Sequence, residues 1–407
     1  MIQPEFEILL ITMVVAVACA LPGVFLVLRR MALMSDAISH SILLGIVLAF
    51  FVTGDVTSPL LILAAAATGV VTVLLVELLN HTRLVKEDAA IGLVFPALFS
   101  VGVILIARFA GNVHLDTDAV LLGEVVFAPF ERLEAGGVDL GPRVLWVMLV
   151  ILALNAAFLA VFYKELKVTT FDAGLAAALG FSPVLLHYLF MSLVSVTAVG
   201  AFDAVGSILV VAMMIGPPAA AYLLTDRLPS MIFLSAGIGM LAAVIGYLIS
   251  SSLDASIAGS MAVAVGLCFA ASFAFAPERG VVAVARRRVR QRWEFAETML
   301  AIHLFNHEAL PERYEESRVQ HLHEHLRWEA GFAERVVERA LENGVVVREG
   351  DDRLADRDGS AHSPGAVPRA LPDPGGLFAT LQRVIDATRE VFQVDGASLA
   401  LAHEDGS

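Results

Sequence analysis

The chain has 407 residues, of which 58% are hydrophobic and 17% are charged, and its mean hydropathy is +0.78. Soluble domains average roughly 45–50% apolar and about 25% charged residues, so this composition excludes an ordinary soluble protein and indicates a polytopic membrane protein. The net charge of -14 argues against nucleic acid as the main partner. Cys19 and Cys268 lie far apart in apolar runs, so neither a disulfide framework nor a cysteine metal site is predicted.

Nine apolar runs are long enough to cross a membrane, which predicts an all-α bundle of about nine transmembrane helices. They lie near residues 8–28, 32–53, 59–80, 89–108, 143–163, 183–201, 205–225, 229–251 and 256–276. Proline and glycine at Pro22-Gly23 and Gly216-Pro217-Pro218 predict breaks or kinks inside two of these helices. The start of the chain lacks basic residues, so we expect its first run to span rather than to be a cleaved signal peptide.

Basic residues fall on alternate loops and predict the orientation of the bundle. They are Arg29, Arg30, Arg83, Lys86, Lys164, Lys167, Arg227 and the run from Arg279 through Arg292. By the positive-inside rule these loops face the cytoplasm, whereas loops 54–58 and 109–142, which carry a surplus of acids, face outward. The prediction is a multi-pass plasma-membrane protein with an external N-terminus and a cytoplasmic C-terminus.

An acid and an imidazole stand inside the second apolar run. Asp36 and His40 are four residues apart, so on a helix they share one face and could bind one cation together, with the Ser39 hydroxyl nearby. Placing ionisable groups inside a hydrophobic span costs free energy, and a transport pathway is the usual explanation for their presence. The alternative is that Asp36 caps a helix and His40 hydrogen-bonds to a neighbouring helix.

Two loops carry further candidate residues. The outer loop holds His114, Asp116, Asp118 and Glu124, which are suitable metal ligands near a pore mouth or, alternatively, parts of a solvated acidic loop. The inner segment TTFDAGLAAALGFSP predicts a short amphipathic helix from Phe171 to Gly180, with Asp172 near its start. This helix is well placed to dock a cytosolic partner, although a plain helical connector would have the same pattern.

Five stretches together resemble the membrane permease subunits of ABC-type manganese, zinc and iron importers. They are RRMALMSDAISHSILLGIVLAF, KEDAAIGLVFPALFSVGVIL, NVHLDTDAVLLGEV, TTFDAGLAAALGF and GSILVVAMMIGPPAAAYLLTDR, in chain order within residues 1–280. The resemblance implies a type II ABC importer-like bundle that pairs with a second permease subunit, identical or different. It also implies that an extracellular binding protein delivers the ion and that Asp36 and His40 line its path. The HLD-x-D loop is similar to the manganese or iron branch, so manganese is favoured over zinc.

The resemblance further implies that two cytosolic ATPase subunits dock on the inner loop. Its docking residues would be Phe171, Asp172, Gly174, Ala177 and Gly180. The sequence contains no GxxxxGKS or GxxxxGKT stretch, so we expect no nucleotide site and no enzymatic activity in this chain. The metal ion, Mn²⁺, Zn²⁺ or Fe²⁺, is then a transported substrate and not a permanently bound cofactor.

The composition becomes charged after the last apolar run, which predicts a small cytosolic α+β extension over residues 281–358. Its basic cluster, Arg286–Arg292, is typical of an anchor on anionic lipid. The segment after this cluster resembles the winged-helix module of iron-dependent repressors, except that its second strand departs from the usual pattern. His303 and His307 share a helical face and are candidate regulatory metal ligands. A Pro/Gly-rich linker over residues 359–376 leads to residues 377–407, which resemble the first helix and strand of a GAF sensory domain.

Two other functions fit parts of this pattern. One is a membrane-anchored, metal-responsive regulator in which the bundle only positions the cytosolic modules. The other is an ion-coupled secondary metal transporter that needs no ATPase. The acid and histidine inside the second span argue against a mere anchor, and the inner docking helix argues against a secondary carrier.

Overall fold

The computed structural model describes residues 4–54, 58–109, 125–135, 138–307, 326, 328–348 and 354–356. The chain divides into two compact units, Met1–Val281 and Val282–Ser407. The linker and the GAF-like segment predicted for residues 359–376 and 377–407 lie outside the described residues, as do the outer-loop candidates His114, Asp116, Asp118 and Glu124.

The first unit is a bundle of eleven described helices with one short hairpin. The helices are α1 (Pro4–Leu28), α2 (Ala32–Thr53), α3 (Pro59–His81), α4 (Glu87–Phe109), α5 (Arg143–Val161), α6 (Tyr163–Phe171), α7 (Ala173–Ala178), α8 (Pro183–Val205), α9 (Ser207–Leu224), α10 (Leu228–Leu253) and α11 (Ile257–Phe275). Among the described residues, nine helices are long and apolar enough to cross a membrane, all of these except α6 and α7. The predicted nine-span helical bundle is therefore confirmed.

The centre of the bundle is formed by α1, α8 and α9, and α4 and α5 lie at its edge. In the apolar window of α1, 67% of residues are buried, against 22% in α4 and in α5. Close helix contact requires small residues: a Cβ at Gly23 of α1 would lie 2.0 Å from the Met214 carbonyl oxygen of α9. Such approach of backbones is how helices associate in a bilayer, where the surrounding lipid is as apolar as the side chains.

Proline does not break these two helices, so of the predicted breaks or kinks the breaks are wrong. Helix α1 runs through Pro22, and α9 runs through both Pro217 and Pro218. The chain instead interrupts the helix at Gly206, where φ is +79° and α8 gives way to α9. Neighbouring helices in a membrane bundle can satisfy the backbone groups that proline frees, so proline does not have to end a helix there.

A hairpin precedes α5 and was not predicted from the sequence. Strands β1 (Arg132–Ala135) and β2 (Val138–Pro142) pair antiparallel. The Arg132 guanidinium donates to the carboxylates of Asp139 and of Glu7, and Glu7 is buried in the first turns of α1. This ion pair ties the loop before α5 to α1.

The second unit contains helices α12 (Val281–His307) and α13 (Ala330–Glu342) and the antiparallel strands β3 (Val346–Arg348) and β4 (Leu354–Asp356). The two predicted strands, and with them the small α+β extension, are confirmed. Its core consists of Ala296, Leu300, Leu304, Val336, Val337, Ala340, Val346 and Leu354. Buried Glu297 of α12 accepts hydrogen bonds from Arg339 Nε at 2.6 Å and from the Asn343 amide at 3.0 and 3.1 Å. The guanidinium groups of Arg335 and Arg339 lie 5.9 and 5.5 Å from the ring centre of Trp293.

Candidate metal translocation site

The Asp36 and His40 side chains meet near the start of α2. His40 Nε2 lies 3.4 Å from Asp36 Oδ1, and the His40 and Asp36 side chains are 33% and 38% exposed, respectively. Two ligand atoms that are each about 2.1 Å from one metal ion lie roughly 3.0 Å apart at an octahedral angle and roughly 3.4 Å apart at a tetrahedral angle. The observed separation therefore already suits two atoms that share one cation.

Aromatic side chains of α4 hold the imidazole in place. The His40 ring lies 5.9 Å from the ring of Phe95 and 6.2 Å from that of Phe99, the second contact being edge to face. These contacts restrict the ring while its Nε2 stays directed at Asp36. Ser39 is buried, and its hydroxyl donates to the Ser35 carbonyl oxygen at 2.9 Å within α2.

The described part of the chain supplies no complete metal site. No three histidine, cysteine, aspartate or glutamate side chains among these residues come together closely enough to hold a metal ion. In the second unit, His303 and His307 lie on α12, but the His307 side chain is outside the described residues. Asp36 and His40 are thus two candidate ligands, and an ion held between them would need further ligands from elsewhere.

The inner segment between α5 and α8 forms two short helices, and the helix predicted over 171–180 is shorter than expected. Phe171 ends α6, and α7 occupies only Ala173–Ala178. Asp172 caps α7 because its Oδ1 accepts from the Leu175 N–H at 2.8 Å, and Gly180 lies just beyond the helix with φ of +87°.

The surface of this segment is unusually apolar for a loop. Phe171, Leu175 and Leu179 are 65%, 51% and 59% exposed, respectively, and Ala177 is also exposed. We call Phe171, Leu175, Leu179 and Phe181 the inner apolar patch. Clustered exposed apolar side chains of this kind mark interaction surfaces.

Arg29, on the turn between α1 and α2, connects the inner segment to the rest of the bundle. Its Nε donates to Thr170 Oγ1 at 3.1 Å and its Nη2 to Thr169 Oγ1 at 3.2 Å, both in α6. The guanidinium also lies 5.0 Å from the ring centre of Phe190 in α8. Burial lowers the pKa of Arg29 to about 10, so the side chain is still charged at neutral pH. The sequence marks Arg29 only as a positive-inside residue, and nothing in its pattern predicts these contacts.

The fold is that of a multi-pass membrane protein that carries an acid and a histidine side by side in one span. The sequence profile of the ABC 3 transport family matches residues 2–276. The chain therefore belongs to the ABC 3 transport family, and the resemblance drawn from its motifs is confirmed. This membership favours an ATP-driven permease over a secondary carrier or an anchored regulator.

Two relatives and one solved structure are closely similar. The chain is 49% identical over 344 residues to the zinc transport system membrane protein TroD of Treponema pallidum (strain Nichols), across 84% of this chain and 94% of TroD. It is 49% identical over 282 residues to the manganese transport system membrane protein MntD of Bacillus subtilis (strain 168), across 69% of this chain and 95% of MntD. PsaBC from Streptococcus pneumoniae in complex with Fab has a TM-score of 0.57 and 30% identity, covering 68% of this chain and 93% of that chain.

Proposed function

We propose that the chain is the permease subunit of an ATP-driven ABC importer for divalent transition-metal ions, with manganese as the favoured substrate. The observation that supports this most directly is the half-exposed Asp36 and His40 pair, whose ligand atoms are 3.4 Å apart on a membrane-spanning helix. One carboxylate and one imidazole suit Mn²⁺, Fe²⁺ and Zn²⁺, so they fit the metals named for the relatives without choosing among them. The manganese preference rests on the resemblance of the outer-loop sequence HLD-x-D to the manganese or iron branch of the family.

The ion would exchange part of its water shell for Asp36 Oδ1 and His40 Nε2 as it enters the bundle. The carboxylate offsets part of the ionic charge, and the imidazole supplies a ligand that hard alkaline-earth ions accept less readily. The remaining ligands would come from a second permease subunit, from the outer-loop residues His114, Asp116, Asp118 and Glu124, or from water. A complete set assembled only in one conformation would bind the ion during transport and release it afterwards.

The driving force would come from separate ATPase subunits that dock on the inner apolar patch. Apolar side chains at the centre of a protein interface exclude water, and the patch offers such side chains on both ends of α7. Arg29 would pass the movement of this segment to α2, because its hydrogen bonds join α6 to the turn from which α2 begins. An extracellular binding protein would deliver the ion to the opposite side, in a plasma membrane with the N-terminus outside and the C-terminus inside.

Removal of either ligand tests this function. Asp36→Ala or His40→Ala should abolish uptake of radiolabelled manganese by cells while leaving membrane insertion and assembly intact, because each change removes one of the two ligands in the described span. His81→Gln is the matched control, since His81 is an exposed histidine at the end of α3. Uptake at the wild-type rate in both alanine variants would disprove the assignment. Competition by zinc and iron against the labelled manganese would then rank the three metals.

A further inference from the structure

A second carboxylate and imidazole pair lies between α3 and α8. His187 Nε2 is 2.7 Å from Glu77 Oε1, and the Tyr188 hydroxyl donates to the other oxygen of Glu77. The His187 side chain is 17% exposed and that of Glu77 34% exposed. This pair has the same two kinds of side chain as Asp36 and His40, here from two different helices. Its atoms are closer than the roughly 3.0–3.4 Å that separates two ligands of one ion, so the pair must open slightly to admit an ion.

The polar groups of this pair and of neighbouring Glu87 are not fully hydrogen-bonded. His187 Nε2 contacts Glu77 Oε1 without hydrogen-bond geometry, and within the described residues buried Glu87 Oε1 has no hydrogen-bond partner. The negative charge of Glu77 also acts on Glu87, at the start of α4. Buried polar groups usually have partners, and an unpaired one calls for an ion or a water molecule. A cation bound by Glu77 and His187 would reduce the repulsion between the carboxylates and offer His187 Nε2 a better-oriented partner.

Both pairs stand at the same end of the bundle. Glu77 lies one helical turn before the end of α3, His187 lies one turn after the start of α8, and Asp36 lies one turn after the start of α2. Helix α2 packs against both α3 and α8. This is the end at which the positive-inside rule predicts the cytoplasm, so Glu77 and His187 lie near the predicted inner mouth of the bundle.

The second pair has the properties of a weak site. It offers two side-chain ligands, and no third histidine, cysteine, aspartate or glutamate among the described residues completes it, so water would fill the other positions. The positive charge of Arg29 also acts on His187 and opposes a second cation there. Weak binding suits the last position before release, because an ion that is held tightly cannot leave quickly.

We propose that Glu77 and His187 form an inner binding position for a divalent transition-metal ion, which the ion occupies between Asp36/His40 and the cytosol. This inference rests on the proposed import function. It differs from a purely structural link between α3 and α8 because it requires the metal itself to contact His187.

Metal binding in a background without the first pair tests the proposal. The purified complex carrying Asp36→Asn and His40→Gln should still bind Mn²⁺ measurably by electron paramagnetic resonance, and adding His187→Gln should remove that binding. Tyr188→Phe is the matched control, since it removes a hydrogen bond to Glu77 but no proposed ligand. Binding that persists unchanged after His187→Gln would overturn the proposal.

A second measurement uses the wild-type complex and does not depend on any variant folding. Mn²⁺ should slow modification of His187 by diethylpyrocarbonate, measured by mass spectrometry of the peptide, while exposed His81 is modified at an unchanged rate. Equal rates at His187 with and without Mn²⁺ would refute the inner position. The two experiments distinguish failure of the import function from failure of the inner position. Absence of metal uptake by the wild type contradicts the import function. Normal uptake without protection of His187 contradicts only the inner position.

Discussion

Replacement of Arg29 by glutamine should separate ATP hydrolysis from metal transport. The change removes two hydrogen bonds to α6 and one cation–π contact to Phe190. Hydrogen bonds from a charged donor contribute about 1.5–3 kcal/mol each and a cation–π contact about 0.5–2 kcal/mol. Arg29 is only partly buried and its three contacts share one side chain, so we use the lower values, which give about 3.5 kcal/mol in total.

A loss of about 3.5 kcal/mol lowers the ratio of molecules in which Arg29 holds α6 to molecules in which it does not by roughly a factor of 400. In proteoliposomes that contain the chain with its ATPase, Arg29→Gln should therefore retain ATP hydrolysis while the manganese transported per ATP falls at least about tenfold. Arg30→Gln is the matched control, because Arg30 is the exposed neighbour and carries the same charge at the same membrane boundary. If both variants transport equal amounts of manganese per ATP, Arg29 does not link α6 to α2 and the reasoning fails.

Two further predictions concern the inner segment and the second unit. Ala177→Lys, and likewise a bulky residue at Gly174, should weaken co-purification of the ATPase and lower uptake, because a lysine in the interface would be buried without a partner. Ala255→Lys, on an exposed loop outside the inner segment, is the control. Wild-type yield of the ATPase and wild-type uptake by the Ala177 variant would contradict the docking site. A chain that ends after Arg292 should still import manganese in a strain lacking the native protein, since all candidate spans among the described residues end by Phe275. An assembled but inactive truncation would show that the second unit takes part in transport.

The spans and the first ligand pair could be predicted from the sequence because both depend on local patterns. Long apolar runs define transmembrane helices, and a spacing of four places Asp36 and His40 on one helical face. The contacts of Arg29 with α6 and of Glu77 with His187 join residues that are far apart in the chain, so no periodicity signals them. The sequence shows Glu77 and His187 only as an acid and a histidine inside otherwise apolar runs, and this pattern also fits a helix end near water.

Local rules also failed where the surroundings decide the structure. Proline at positions 217 and 218 predicts a break in an isolated helix, yet α9 continues through both residues inside the bundle. The hairpin β1–β2 depends on Arg132 reaching Glu7 of α1, which the sequence of the loop alone does not indicate. Helix α7 starts later than predicted because Asp172 caps it, which leaves Phe171 at the end of α6.

The charged side chains of α13 determine how well this helix could bind a polyanion such as DNA. Both arginines of this helix, Arg335 and Arg339, are engaged with Trp293, and Arg339 also pairs with Glu297. The exposed charges of α13 are the carboxylates of Glu334, Glu338 and Glu342 and the guanidinium of Arg335. Affinity for duplex DNA comes largely from counterions released when lysine and arginine neutralise phosphates. Helix α13 would offer one exposed cation and three carboxylates to the phosphate backbone, which disfavours this helix as a reader of the major groove.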